Sequence, residues 1–255
     1  MAKTTIGVLA LQGAFSEHAQ SFRKLGAEVV EVRLPSDFQS IDAIVLPGGE
    51  STAIALIGER WNIFPELKKW VQEDRPIWGT CAGMILLSDR ALMQKEGGQP
   101  LVGGLDVEVC RNYFGSQISS FEQKIDTSAF KLDKLAQHFE SEPYSAVFIR
   151  APAILEVGSG DIEVLSRVRA SPCAQARRSI ENIVSSIDKG DPKELERFKH
   201  LSSFVDASQK VLPEVIVAAR KKNILATAFH PELTSDLRWH AYFMNIVSES
   251  KAKSS

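Results

Sequence analysis

A thiol, an imidazole and a carboxylate stand at positions in this chain where they could work together. Cys81 lies in Pro76-Ile77-Trp78-Gly79-Thr80-Cys81-Ala82-Gly83-Met84, where a strand-like apolar stretch turns at a glycine and continues as the helix pattern Ile85-Leu86-Leu87. A cysteine attacks as its thiolate, and a helix N-terminus beside a histidine favours that form. Gly79 permits a tight turn before the thiol, and Ala82 and Gly83 let backbone or substrate come close after it. Near the other end of the chain, Phe229-His230-Pro231-Glu232-Leu233 supplies a general base and, two residues on, a carboxylate to orient it. The fixed φ of Pro231 limits where that carboxylate can point. Each fragment alone has a plainer explanation, an inert buried cysteine in one case and a turn after a strand in the other. Taken jointly they favour cysteine-based acyl transfer by triad logic.

A third fragment is Pro47-Gly48-Gly49-Glu50-Ser51. Paired glycines let backbone N–H groups turn toward a developing oxyanion, although the same run also makes an ordinary loop. No Gly-Lys-Ser/Thr follows, so it is not a phosphate loop, and nucleotide binding is disfavoured.

The elements that must carry these fragments alternate. Ile6 to Leu11 reads as a strand buried on both faces, closed by Gly13, and Phe15, Ala19, Phe22 and Leu25 follow at helical spacing with Gly26 as the stop. Val29 to Val32 and Ala43 to Leu46 read as strands, Ile54 to Ile57 as a helix start, Phe64 to Val71 as a helix and Pro76 to Trp78 as a strand. A helix is expected from Ala82 to about Leu92. Such alternation implies an α/β fold, a doubly wound, mostly parallel sheet of flavodoxin-like kind with helices on both faces and active residues at the carboxyl ends of strands. Beyond Leu101 the spacing changes. Leu101 to Leu105, Ala146 to Ile149, Ile154 to Val157 and Ile162 to Leu165 look like shorter strands of a small antiparallel extension. Val215 to Ala219, Leu225 to Phe229 and a helix from about Ser235 to Val247 complete the core.

At 255 residues the chain suits one α/β domain. The segment 167–213 is polar and helix-prone, and it reads as a partly helical, partly disordered surface insertion; its surplus of Lys and Arg over acids is a weak hint of an acidic partner, for which a solvated helical face is the plainer explanation. The tail from Ser248 to Ser255 is expected to fray. With net charge −2, 44% hydrophobic and 24% charged residues, the composition is that of an ordinary globule without the basic field nucleic acid would require. Three irregularly spaced cysteines, Cys81, Cys110 and Cys173, do not make a disulfide framework or a zinc site and suit a reducing compartment. No leader pattern opens the sequence and no apolar run reaches the roughly 18 residues a membrane span needs, so a cytosolic protein is expected.

These motifs carry a resemblance. Gly79-Thr80-Cys81-Ala82-Gly83, Leu46-Pro47-Gly48-Gly49-Glu50-Ser51-Thr52 and Phe229-His230-Pro231-Glu232-Leu233-Thr234 resemble those of class I (triad-type) glutamine amidotransferases. Gly7-Val8-Leu9-Ala10-Leu11-Gln12-Gly13, Arg111-Asn112-Tyr113-Phe114-Gly115-Ser116-Gln117 and Val147-Phe148-Ile149-Arg150-Ala151-Pro152 are similar, more closely, to the glutaminase subunits of pyridoxal 5′-phosphate synthases. The likeness spans about residues 4 to 166 and 214 to 247; the family usually has a short connection where 167–213 lies.

The resemblance implies that Cys81 attacks the side-chain amide of glutamine and forms a glutamyl thioester, with His230 as base and acid and Glu232 as its orienter. It also implies an oxyanion hole from the backbone N–H groups of Gly49 and Ala82, and glutamine held around Gly49, Glu50, Ser51, Arg111, Ile149 and Arg150. A guanidinium at Arg111 is a natural fork for an α-carboxylate, whereas Arg150 at a strand end could equally serve in a structural pair. No cofactor or metal is expected; pyridoxal 5′-phosphate would be the product of the complex. The implied partner is a synthase subunit of (β/α)₈-barrel type, which builds the product from ribose 5-phosphate and glyceraldehyde 3-phosphate and receives ammonia through a tunnel. Gln12, after the first strand, is a candidate for sensing that docking. Alternatives are a glutaminase subunit of another synthase, such as imidazole glycerol phosphate synthase, a catalytically silent scaffold, or a cysteine peptidase or chaperone of similar fold.

Overall fold

In the first third of the chain, apolar runs too short for helices alternate with amphipathic stretches, and each forms the expected element. The computed structural model describes residues 3–94, 98–115, 120–128, 143–158, 160–206, 208 and 210–254. Strand β1 (Thr5–Leu9) leads to helix α1 (Phe15–Lys24), β2 (Glu28–Val32) and β3 (Ala43–Leu46). Then come α2 (Ser51–Arg60), α3 (Ile63–Gln72), β4 (Ile77–Thr80) and α4 (Ala82–Leu87). The α4 helix is shorter than expected. Leu86 O accepts hydrogen bonds from the N–H groups of Val102 and Gly103, and Ser88 Oγ donates to Ile85 O at 2.7 Å, so the helix ends at Leu87. The chain then runs on as β5 (Ser88–Leu92), in parallel with β6 (Leu105–Cys110). The strand expected over 101–105 begins only at Leu105, because Gly103 and Gly104 take φ of +77° and +105°.

A two-stranded antiparallel sheet follows, β7 (Phe121–Ile125) with β8 (Tyr144–Phe148), and then β9 (Ala153–Val157) and β10 (Glu163–Arg169). Because β10 continues to Arg169 in register with β11, residues 167–169 belong to the sheet rather than to an insertion. The rest of that segment contains α5 (Ala174–Ser186) and α6 (Pro192–Ser202). Asp191 accepts from Lys193 N at 2.8 Å and Pro192 occupies the first turn, which starts α6 where its missing N–H has no cost. Ala176, Ile180, Leu201 and Phe204 are buried, so an apolar stripe fixes both helices where disorder was expected for part of the segment. The chain closes with β11 (Glu214–Lys221), β12 (Ile224–Thr227) and α7 (Arg238–Ser254). The tail expected to fray continues α7 to Ser254. Lys251 pairs with Asp42 at 2.7 Å and Glu249 with Arg220 at 3.0 Å, which tie it to the body; Ser255 lies outside the described residues.

The main sheet runs β2-β1-β3-β4-β12-β11-β9-β6-β5, with β10 also on β11. Its first five strands are parallel in the flavodoxin-like order, with β12 as the fifth; the remainder is mixed. Side-chain alternation on β4 separates the layers. Trp78 packs against Phe22 of α1 and His240 and Phe243 of α7, and Thr80 faces His18 of α1. Gly79 faces the other way, so close to α4 that a Cβ there would stand 2.4 Å from the Gly83 backbone. The core fills both sides, and each fully buried side chain the size of Ile44 or Ile77 stabilises the fold by about 1.5–3 kcal/mol. No described helix is long and apolar enough to cross a membrane.

Candidate active site

Three adjacent parallel strands, β3, β4 and β12, deliver three groups to one edge of the sheet. Leu46 pairs with Gly79 and Thr80 with Thr227, so the residues that follow these strands meet. Cys81 follows β4 at the mouth of α4, its N–H donating to Thr227 O at 2.8 Å. It takes φ +48° and ψ −100°, a strained conformation for a residue with a Cβ. Such a strand-to-helix elbow sets a nucleophile's side chain off the turn. The surrounding glycines make it possible, since a Cβ on Gly83 would lie 2.1 Å from Leu46 O.

His230 follows β12 and is pinned by its N–H to Val147 O at 2.9 Å. Its Nδ1 stands 2.8 Å from Glu232 Oε1, and both side chains are almost fully enclosed. Burial disfavours a charged imidazole, but Cys81 and Glu232 together more than offset it and push His230 up to about 10 from its ordinary 6.5. This contribution to stability is therefore complete below about pH 6.5 and is lost as pH rises toward about 10. Cys81→Ala is expected to move the His230 midpoint down, read from its imidazole proton resonances. An unchanged midpoint would show that thiol and imidazole are not paired.

The Gly48-Gly49 loop closes the site from β3. Gly48 O accepts from Ala14 N at 2.9 Å, and because a trans peptide sets N–H opposite C=O, the Gly49 N–H points away from residue 14. Gln12 Oε1 accepts from Glu50 N at 2.8 Å and steadies the next peptide. The Ala82 N–H opens α4. Gly48 itself is a site residue not singled out from sequence: its Cα faces the triad so closely that a Cβ would lie 2.3 Å from His230 Cε1 and 3.4 Å from Cys81 Cβ.

A cavity of about 270 Å³ joins these parts, lined by Gly48, Gly49, Cys81, Arg111, Ile149 and His230, with Glu50, Ser51, Ala82 and Arg150 also on its wall. Arg111 is buried at its side, with Nη2 3.4 Å from Glu50 Oε1 and 3.3 Å from Thr52 Oγ1. Ile149 O is 3.9 Å from Cys81 Sγ. Arg150 is exposed, with φ +46°, and Ser51 Oγ donates to Gln99 Oε1 at 3.1 Å. Gln99 carries no motif in the sequence; its side chain meets the site through this contact and one from Thr52. Ser116 and Gln117 lie outside the described residues. A larger cavity, about 560 Å³ between α6, β9 and β11, is lined by no cysteine, serine or threonine, so size does not identify the reactive site. Among the described residues, no group of three or more His, Cys, Asp or Glu side chains is placed to hold a metal ion.

An elbow thiol and a carboxylate-oriented imidazole on neighbouring strand ends of a flavodoxin-like sheet define a class, that of the triad-type glutamine amidotransferase fold. More narrowly, the chain belongs to the SNO glutamine amidotransferase family, whose model matches residues 8–187. It is 45% identical over 248 residues to the probable pyridoxal 5′-phosphate synthase subunit PDX2 of Arabidopsis thaliana, across 96% of this chain and 86% of that one. It is 40% identical over 239 residues to the pyridoxal 5′-phosphate synthase subunit PdxT of Pelotomaculum thermopropionicum, across 94% and 93%. A crystal structure of a glutamine amidotransferase superposes with a TM-score of 0.68 at 33% identity, over 95% of this chain and 98% of that one.

Proposed function

We propose that this chain is the glutaminase subunit of a pyridoxal 5′-phosphate synthase, hydrolysing L-glutamine and passing ammonia to a synthase subunit. The observation that carries the reading is the placement of Cys81 and His230 on the wall of one small cavity with the buried Glu232 carboxylate on His230 Nδ1, in a chain whose relatives are named subunits of that synthase. Cys81 attacks the amide carbon, and the oxyanion is received by the N–H groups of Gly49 and Ala82. His230, as imidazolium beside Glu232, gives its proton to the departing nitrogen, and ammonia leaves a glutamyl thioester. Water deprotonated by His230 then attacks the thioester, releasing glutamate and restoring the thiol. The Arg111–Glu50 pair at the cavity wall suits a zwitterion, with guanidinium for the α-carboxylate and carboxylate for the α-ammonium. Gly49, Ser51, Ile149 and Arg150 are proposed to complete the glutamine site. A silent scaffold would have no use for the 2.8 Å His230–Glu232 contact in front of an elbow cysteine.

Ammonia released into bulk water would be protonated, so the product requires a docked acceptor. Gln12 is our candidate for sensing that docking, because its side chain holds the peptide next to the oxyanion loop. The test supplies glutamine labelled at the amide nitrogen to the reconstituted complex in excess unlabelled ammonium. The reading predicts label in the synthase product and glutamate release that rises on adding the synthase subunit. Product nitrogen drawn wholly from the ammonium pool would contradict it.

A further inference from the structure

Behind the triad, on the sheet face covered by α1 and α7, lie two more histidines that the mechanism above does not use. His18 on α1 and His240 on α7 are fully buried, as is the Glu232 carboxylate. Glu232 uses Oε1 for His230, while Oε2 makes no in-line hydrogen bond. His18 Nε2 stands 3.3 Å from Oε2 and 3.1 Å from Thr80 Oγ1, at the end of the strand that delivers Cys81. On its other side His18 Nδ1 is 3.0 Å from His240 Nε2, and His240 Nδ1 has no partner. The rings of Trp78 and Phe22 enclose the pair, with centroids 5.4 Å from His18 and 4.9 Å from His240.

This arrangement selects its tautomers. If His18 carried its proton on Nδ1, its Nε2 lone pair would face the Glu232 carboxylate, and His240 would have to bury an unpaired Nδ1–H. With both protons on Nε2, His240 donates to His18, His18 donates to Thr80 Oγ1 while the same N–H edge faces Glu232 Oε2, and the ring atom left over is a lone pair rather than an N–H. An unpaired buried donor costs about 1–3 kcal/mol, so the second assignment prevails.

We propose that His18 is a positioning residue that extends the triad: its Nε2–H braces Glu232 Oε2 from behind, and His240 fixes the tautomer that allows it. The proposal rests on the reading of Cys81, His230 and Glu232 as the glutaminase triad. A neutral brace is the useful kind. An imidazolium at position 18 would compete with His230 for the charge of Glu232, and burial, reinforced by His240 and His230, holds His18 well below the ordinary histidine range. Burial likewise holds His240 down to about 3.

Two measurements test this. Nitrogen-15 NMR of histidine-labelled protein reads the tautomers directly, and Nε2–H on both His18 and His240 is expected. Steady-state glutamine hydrolysis with the synthase subunit present is then compared for the parent, His18→Leu and His18→Gln, since a glutamine amide can place an N–H near the Nε2 position. His18→Leu should lower kcat about tenfold or more while KM stays within about twofold, and His18→Gln should recover to within about threefold of the parent. The proposal is overturned by Nδ1–H on His18, by His18→Leu with the parent's kcat, or by His18→Gln as slow as His18→Leu. Should His18→Leu not fold, the tautomers and His18→Gln decide: Gln near the parent supports the brace, and Gln slowed about tenfold removes it. Absence of Cys81-dependent turnover in the parent would instead overturn the glutaminase reading, which the tautomer measurement leaves untouched.

Discussion

Cys81→Ala is expected to lower glutamine hydrolysis in the reconstituted complex by roughly 10⁴-fold or more, the scale on which a nucleophile's removal disables a triad. The loss should fall on kcat, because the cavity wall around Arg111 and Glu50 does not depend on the sulfur. Folding should be preserved, since the β4-to-α4 turn is secured by the Cys81 N–H to Thr227 O bond and by Gly79 and Gly83 rather than by the side chain. Circular dichroism and docking to the synthase subunit should match the parent. Residual turnover within about tenfold of the parent would remove Cys81 from the chemistry.

Gly48→Ala carries the second large effect. Its new Cβ would lie 2.3 Å from His230 Cε1 and 2.8 Å from Nδ1, well inside van der Waals contact. The imidazole is held at Nδ1 by Glu232 and the backbone by Val147, so it cannot shift without losing that orientation. A displacement of about 1 Å in a catalytic group costs on the order of 10²-fold in kcat. Overpacking should also lower stability by about 1–3 kcal/mol, read by denaturant unfolding. A Gly48→Ala enzyme with parental kcat would mean that the ring does not occupy that space during turnover.

The parallel half of the fold was legible because its strands are short apolar runs bounded by glycines, and the elbow because Gly79 and Gly83 flank Cys81. The mixed half was less so. Ser88 and the Val102-Gly103 backbone end α4 early through contacts that come from outside the helix, and no periodicity in 82–92 reveals them. The segment around α5 and α6 reads as polar because Ala176, Ile180, Leu201 and Phe204 are few and widely spaced, yet they suffice to seat two helices. Cys81, His230 and Glu232 stand in local motifs of the sequence, and the structure brings them together. His18 was not, because its role depends on α1 and α7 converging beneath β4, a relation across 222 positions of sequence. Within α1 it reads as one more residue of an amphipathic helix. Gly48 was hidden differently: its motif was visible, but only the structure shows that its bare Cα faces the triad.

The account stands most directly on one covalent species. Mixing the complex with glutamine, quenching in acid within the first turnover and measuring the intact mass of this chain should reveal a glutamyl adduct, mapped to Cys81 by peptide digestion and absent from Cys81→Ala. Glutamate formed at the parental rate with no adduct on Cys81 at any time, or an adduct on another residue, would contradict it.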